Sequence, residues 1–194
     1  MRSVMWFRRD LRLEDNPALI AASKAGNNGA NCEVTPLFVL DPMFLERSGA
    51  PRLAFLFRSL RELNREMNGT LVVRVGNPVD VVAKVAQEVG ATEVFAAKDF
   101  APYGQKRDAA VGAALRKVGV NLNQVGSAYA VEPGTVRKAD TTPYAVFTPF
   151  SKIWLAHGWP APTDKAKVEF RGAPEIASEK IPDDPPLTAT IAAA

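Results

Sequence analysis

Three arginines and an aspartate crowd one turn, in Trp6-Phe7-Arg8-Arg9-Asp10-Leu11-Arg12. The apolar run from Val4 to Phe7 reads as a buried strand, and Asn16-Pro17 reads as an N-cap followed by proline at the first helical position. A charged turn between a strand and a helix is a place to hold a ligand. The chemistry on offer is binding, because the groups that usually react are scarce. Cys32 is the only cysteine and His157 the only histidine. A lone nucleophile without a nearby base gains little, so each reads as structural or exposed. One cysteine also excludes an internal disulfide and gives no basis for a cysteine-based metal site.

The elements that must position this turn follow from periodicity. Five short apolar runs, Val4-Phe7, Val34-Leu40, Leu71-Val75, Glu93-Ala97 and Val120-Val125, alternate with amphipathic stretches, as in a parallel sheet with crossover helices. Pro51 can open a helix in which Leu53, Leu56, Phe57, Leu60, Leu63 and Met67 share a face, closed by Gly69. Asn77-Pro78 repeats the cap-and-proline start, and Gly90 ends that helix. A further helix spans roughly 103–118. Pro36 cannot donate to a ladder, so it is expected to mark the first residue of the second strand or an unpaired position, and the reliable strand to start at Leu37. Right-handed crossovers favour a five-stranded, parallel, doubly wound (Rossmann-like) α/β sheet of order 3-2-1-4-5.

In such a sheet the ligand crevice lies beyond the carboxyl ends of the strands, where the order reverses. Its walls are then residues 7–12, 38–41 and 98–103. No G-x-G-x-x-G or G-x-x-x-x-G-K-[ST] follows any strand, so the dinucleotide fingerprint and the P-loop are both absent. Adjacent residues leaving a strand point to opposite sides, which favours Arg9 over Arg8 for ligand contact. Asp10 can pair with Arg8 or Arg12 and fix the loop.

Composition bounds the class. The chain has 194 residues, is 47% hydrophobic and 23% charged, and carries a net charge of +3. This is an ordinary globular balance, sufficient for one sizeable domain without staples. The positive charge permits nucleic-acid contact without establishing it, since Lys and Arg are interleaved with acids. No apolar stretch approaches the roughly 20 residues that span a bilayer, and no secretory h-region follows the N-terminus. A cytoplasmic monomer without membrane contact is expected. After Val125 the alternation stops, and 161–194 reads as a Pro-rich linker or disordered tail.

Two stretches carry a family resemblance. Residues 6–12 with Asp15-Asn16-Pro17-Ala18-Leu19 resemble the opening signature of the photolyase and cryptochrome family, flavoproteins that repair DNA with light or sense blue light. Tyr144-Ala145-Val146-Phe147-Thr148-Pro149-Phe150-Ser151-Lys152-Ile153-Trp154 resembles a second signature of that family. Pro149 is expected to open a helix there, with Phe150, Ile153 and Trp154 docking on a neighbouring surface. The resemblance implies an N-terminal antenna domain over residues 1–130, a connecting segment at 131–160 and the tail at 161–194. It is most like a cyclobutane pyrimidine dimer photolyase of class I.

What the resemblance implies about ligands is more specific. The N-terminal domain of photolyases often holds a light-harvesting pigment, a deazaflavin, a folate or FMN, which passes excitation to FAD in a helical domain that follows. FAD, the electron transfer that repairs dimers and contact with damaged DNA belong to that helical domain, so this chain alone is expected to be inactive. Lys98-Asp99-Phe100-Ala101-Pro102-Tyr103-Gly104-Gln105-Lys106-Arg107-Asp108 looks like the branch that binds an 8-hydroxy-5-deazaflavin. The implied pigment site is Phe38 and Leu40 as wall, Arg9 and Arg52 as donors, Asp99 as acceptor, and Phe100 beside it. Alternatively, Asp99 and Asp108 simply cap the following helix. Three other readings stand beside this one: a cryptochrome photoreceptor domain, a free-standing nucleotide-binding domain, and an antenna pocket that serves only as structural support.

Overall fold

A computed structural model describes residues 1–26, 32–163 and 167–187. The apolar runs form parallel strands β1 (Arg2–Phe7), β2 (Glu33–Leu40), β3 (Val72–Val75), β4 (Glu93–Lys98) and β5 (Asn121–Ser127), in the order β3-β2-β1-β4-β5. The crossovers contain α1 (Pro17–Ser23), α2 (Pro42–Arg47), α3 (Ala50–Glu66), α4 (Pro78–Glu88) and α5 (Pro102–Lys117). This is the doubly wound order expected from the alternation. Strand side chains alternate between faces. β1 therefore sends Val4 and Trp6 into a core with α4 and α5, while Met5 and Phe7 enter a second core with α1 and α3.

The cap-and-proline starts form as read. Asn16 accepts from Leu19 N–H at 3.1 Å and Asn77 from Val79 N–H at 3.0 Å, each with proline following. Asp41-Pro42 is a third instance that the apolar pattern did not reveal. Asp41 accepts from Met43 N–H at 3.0 Å and opens the six-residue α2.

Pro36 takes an unpaired position, and the strand start at Leu37 is a correction. β2 begins at Glu33, four residues before the expected Leu37, and carries the proline in its interior. Glu33 N–H donates to Met1 O at 3.2 Å, whereas Val34 O accepts from Arg171 N–H at 3.0 Å. Successive residues of β2 thus address opposite neighbours, and Pro36, like Val34, turns away from β1. On that side β6 (Glu169–Phe170) stops pairing at Val34 and β3 starts at Leu37, so the missing donor falls in the gap.

Two further expectations change beyond β5. α6 (Phe147–His157) starts two residues before Pro149, which sits in the first turn where a missing N–H costs little. None of its residues is buried, Ile153 is 45% exposed, and Trp154 stacks on Trp159 at 4.9 Å. The expected docking of this face does not occur within the domain. In the tail, Val168, Phe170, Ile176 and Ile181 pack against the two cores, and β6 pairs with β2. That part of the segment is packed against the sheet; the Ala-rich end, 188–194, lies outside the described residues.

Candidate functional site

A cavity of about 500 Å³ opens at the carboxyl ends of β1, β2 and β4. Trp6 to Arg9 form its floor where β1 ends. Phe38 to Asp41, with Phe44 of α2 and Arg52, Leu53 and Leu56 of α3, make one wall. Asp99 and the start of α5 make the other. Arg9, Phe38, Leu40, Arg52 and Asp99 therefore share one cavity, although they come from four separate stretches of chain. Phe100 is not among its lining residues and instead meets Tyr129 edge-on at 6.1 Å.

Asp99 is 8% exposed and pinned from three sides. One oxygen accepts from Ala101 N–H at 3.1 Å and lies 3.8 Å from Arg9, and the other accepts from Arg107 at 3.2 Å. Asp99 is not the N-cap of α5, which is Ala101 without a side-chain cap bond; it holds the Ala101 N–H in the turn that precedes the helix, and it lines the cavity as well. Gly104 makes that position possible, because a Cβ there would lie 2.2 Å from the Asp99 carboxyl carbon. Asp108 does not cap the helix. It is buried within α5, where it accepts from Arg8, from Arg107 at 2.8 Å and from Gln124 at 2.7 Å.

Arg8 and Arg9 both line the cavity, because β1 ends at Phe7 and its alternation does not reach them, but they differ in exposure. Arg8 is buried, donates to Asp108 and Ala97 O, and lies 4.6 Å over the Trp6 ring. Burial pulls its pKa below the ordinary value against the pull of Asp108. Arg9 is 55% exposed and donates to the Tyr129 hydroxyl at 3.3 Å. Asp10 pairs with Arg12 at 3.0 Å, and burial holds its carboxyl above the usual range despite that cation. Asn16 ties the same loop to α1, donating to Arg12 O at 3.0 Å.

Tyr103 and Asp41 lie in the wall stretches 98–103 and 38–41 that the sheet order predicts, but the bond between them is not among the sequence expectations. The Tyr103 hydroxyl donates to Asp41 at 2.5 Å, and its ring meets Phe44 edge-on at 5.1 Å. This bond runs from the end of β2 to the start of α5 and so passes over the end of β1. Burial, then the Asp41 hydrogen bond and charge, push the phenol up to about 12. A signal was available: Asp41-Pro42 repeats the cap motif, and Tyr103 and Arg107 lie four apart on one helical face. The site combines an apolar wall, a fixed acceptor and exposed cations, an arrangement suited to a planar polar molecule. Cys32 is buried elsewhere, donating to Met1 O at 3.0 Å. Among the described residues, no helix is long and apolar enough to cross a membrane.

Comparison with known proteins adds independent observations. The DNA photolyase family model matches residues 3–168. A deoxyribodipyrimidine photo-lyase of Synechococcus sp. is 34% identical over 164 residues, covering 82% of this chain and 33% of the relative. Cryptochrome-2 of Gallus gallus is 40% identical over 126 residues, covering 62% of this chain and 21% of the relative. The crystal structure of an archaeal photolyase from Sulfolobus tokodaii with two FAD molecules superposes with a TM-score of 0.78 at 22% identity. That match covers 92% of this chain and 40% of the other, and shows the fold. The chain thus spans about a third of the length of the Synechococcus photo-lyase.

Proposed function

The chain belongs to the DNA photolyase family, and from that premise we propose that it is a light-harvesting domain holding an antenna pigment in the cavity at the end of the sheet. An 8-hydroxy-5-deazaflavin is the favoured pigment, ahead of folate or FMN. The observation that carries the reading is the convergence of Arg9, Phe38, Leu40, Arg52 and Asp99 on one cavity of about 500 Å³, within the range of roughly 300–1,000 Å³ that small-molecule sites occupy. The residues fit such a group. Phe38 and Leu40 offer an apolar surface for its ring, and Asp99 accepts from its polar hydrogens. Arg9 and Arg52 donate to its carbonyls and side chain.

When bound, the pigment supplies absorption and excitation transfer to a catalytic FAD. This chain's residues need only fix its distance and orientation. A catalytic FAD would be held by a helical domain outside this chain, where it would supply the electron for repair of pyrimidine dimers in damaged DNA.

Titration of the purified chain with 8-hydroxy-5-deazariboflavin, a methenyl folate, FMN and ATP tests the reading. The expected result is tightest retention of the deazaflavin, with loss of about tenfold or more in affinity on Asp99→Ala. Binding of ATP with none of the three pigments retained would point to a nucleotide-binding domain and overturn the proposal. Blue-light repair of a dimer-containing oligonucleotide by the longer protein separates a photolyase from a cryptochrome, which is expected to give none.

A further inference from the structure

Residues 171–184 grip the domain through side chains and single backbone bonds. Glu179 N–H donates to Val73 O at 2.9 Å, Ser178 Oγ accepts from Val73 N–H at 2.9 Å, and the Glu179 carboxylate accepts from Val75 N–H. β3 ends the sheet on this side, so these bonds occupy groups that an edge strand otherwise exposes. The chain also crosses that edge twice. Phe170 packs in the core beneath α3, Ile176 in the core beneath α4, and Ile181 returns to the first. Beyond it, Asp184 accepts from both Arg58 and Arg61, and Arg61 donates to Pro182 O at 2.8 Å.

Arg58 and Arg61 sit on α3, whose Arg52, Leu53 and Leu56 line the cavity from another face. The segment therefore touches one wall element from outside, α3 through Asp184, and the strand beside another, β3 through Ser178 and Glu179. β3 in turn pairs with the end of β2, where Leu40 lines the cavity opposite Val75 in register. The geometry points to residues 171–184 as a clamp that ties α3 to β3, holds that side of the cavity closed, and sets how fast a bound molecule escapes. Its effect on a ligand rests on the cavity's being the pigment site, whereas the tie itself does not.

Two variants cut the clamp at different ends without altering any cavity residue: Asp184→Ala at α3, and Ser178→Ala with Glu179→Ala at β3. Backbone hydrogen exchange is the first readout. The double variant is expected to speed exchange at Val73 and Val75 about tenfold, and Asp184→Ala to speed it in the middle of α3, around Arg58 and Arg61. Release of prebound 8-hydroxy-5-deazariboflavin is the second, expected to quicken about fivefold in both. Unaltered exchange overturns the clamp, and faster exchange with unaltered release overturns its hold on the cavity. If the wild-type chain retains no deazaflavin, the pigment reading fails, and exchange alone still decides whether the segment ties α3 to β3.

Discussion

Gly104 and the Asp99 carboxylate compete for one volume, and the outcome separates two physical effects. Helix propensity alone makes Gly104→Ala stabilising by about 1 kcal/mol. The overlap at 2.2 Å opposes it, because Asp99 is held by Ala101 and Arg107 and has to break those bonds to move. The overlap is expected to win, lowering the unfolding free energy by about 1–3 kcal/mol in urea titrations. In an Asp99→Ala background the same substitution is expected to stabilise, so additive values in a double-mutant cycle would refute the account. Asp108 carries a larger stake, since its removal leaves Arg8 buried beside Arg107 without the carboxylate that both share. Asp108→Ala is expected to cost about 3–5 kcal/mol; a loss below 1 kcal/mol would show that Arg8 is not held by this pair. Tyr103 gives a pH signature. Its phenol titrates at about 12 when folded, above the usual value of about 10, so the stability it contributes is full below pH about 10 and is lost as pH rises through about 12. Tyr103→Phe is expected to lack that alkaline loss in melting temperature, and an equally steep fall in the variant would count against the Asp41 bond. Arg9 and Asp99 were legible because the switch point places them. The Tyr103–Asp41 bond was not, because it joins two turns that lie 62 residues apart and only meet once the sheet forms.

Asparagine followed by proline starts α1 and α4, and the same signature with aspartate starts α2, so these helix starts are readable from local chemistry. Asn16 is fully buried and does two jobs, capping Leu19 N–H and holding Arg12 O of the charged turn. Asn16→Ala is therefore expected to cost about 2 kcal/mol, at the upper end for a cap, with faster amide exchange through residues 10–16. Normal exchange in that turn would separate the cap from the loop. Sheet order was also legible, since the alternation and the handedness of crossovers leave few arrangements. Pro36 misled about the start of β2 because its local meaning, no donor, depends on which neighbour the donor would have addressed. α6 misled differently: its apolar spacing predicts a docking face, but a pattern cannot say whether the surface it fits is present. Trp154 is half-buried and stacks on Trp159, so Trp154→Ala is expected to change stability by no more than about 1.5 kcal/mol, the scale of an aromatic pair.

At the scale of the molecule, a sheet with two cores is tied at its β3 edge to residues 171–184, and described residues of the stretch between also reach the domain. Lys98 meets Glu132, Phe100 meets Tyr129, and Asp15 accepts from Thr163. The packed tail was hard to see because hydropathy registers few large apolar groups there, whereas the grip comes from Ser178, Glu179 and Asp184. Proline content signals a missing regular ladder, and side-chain bonds to an edge strand need none. α6, by contrast, has 11 residues and no buried side chain, and a helix of that length is marginal in water without packing. Opening of α6 should thus be far cheaper than opening of the sheet. Brief chymotrypsin digestion is expected to cut first near Phe147 or Leu155, which are 77% and 62% exposed, and to spare Phe7, Phe57 and Phe95 in the core. The two pieces are expected to co-elute in gel filtration, because strand β6 and the contacts of residues 171–184 still bind the C-terminal piece to β2, β3 and α3. They should part only in denaturant. Pieces that separate at once in buffer would mean that the tail's bonds do not hold it to the sheet edge.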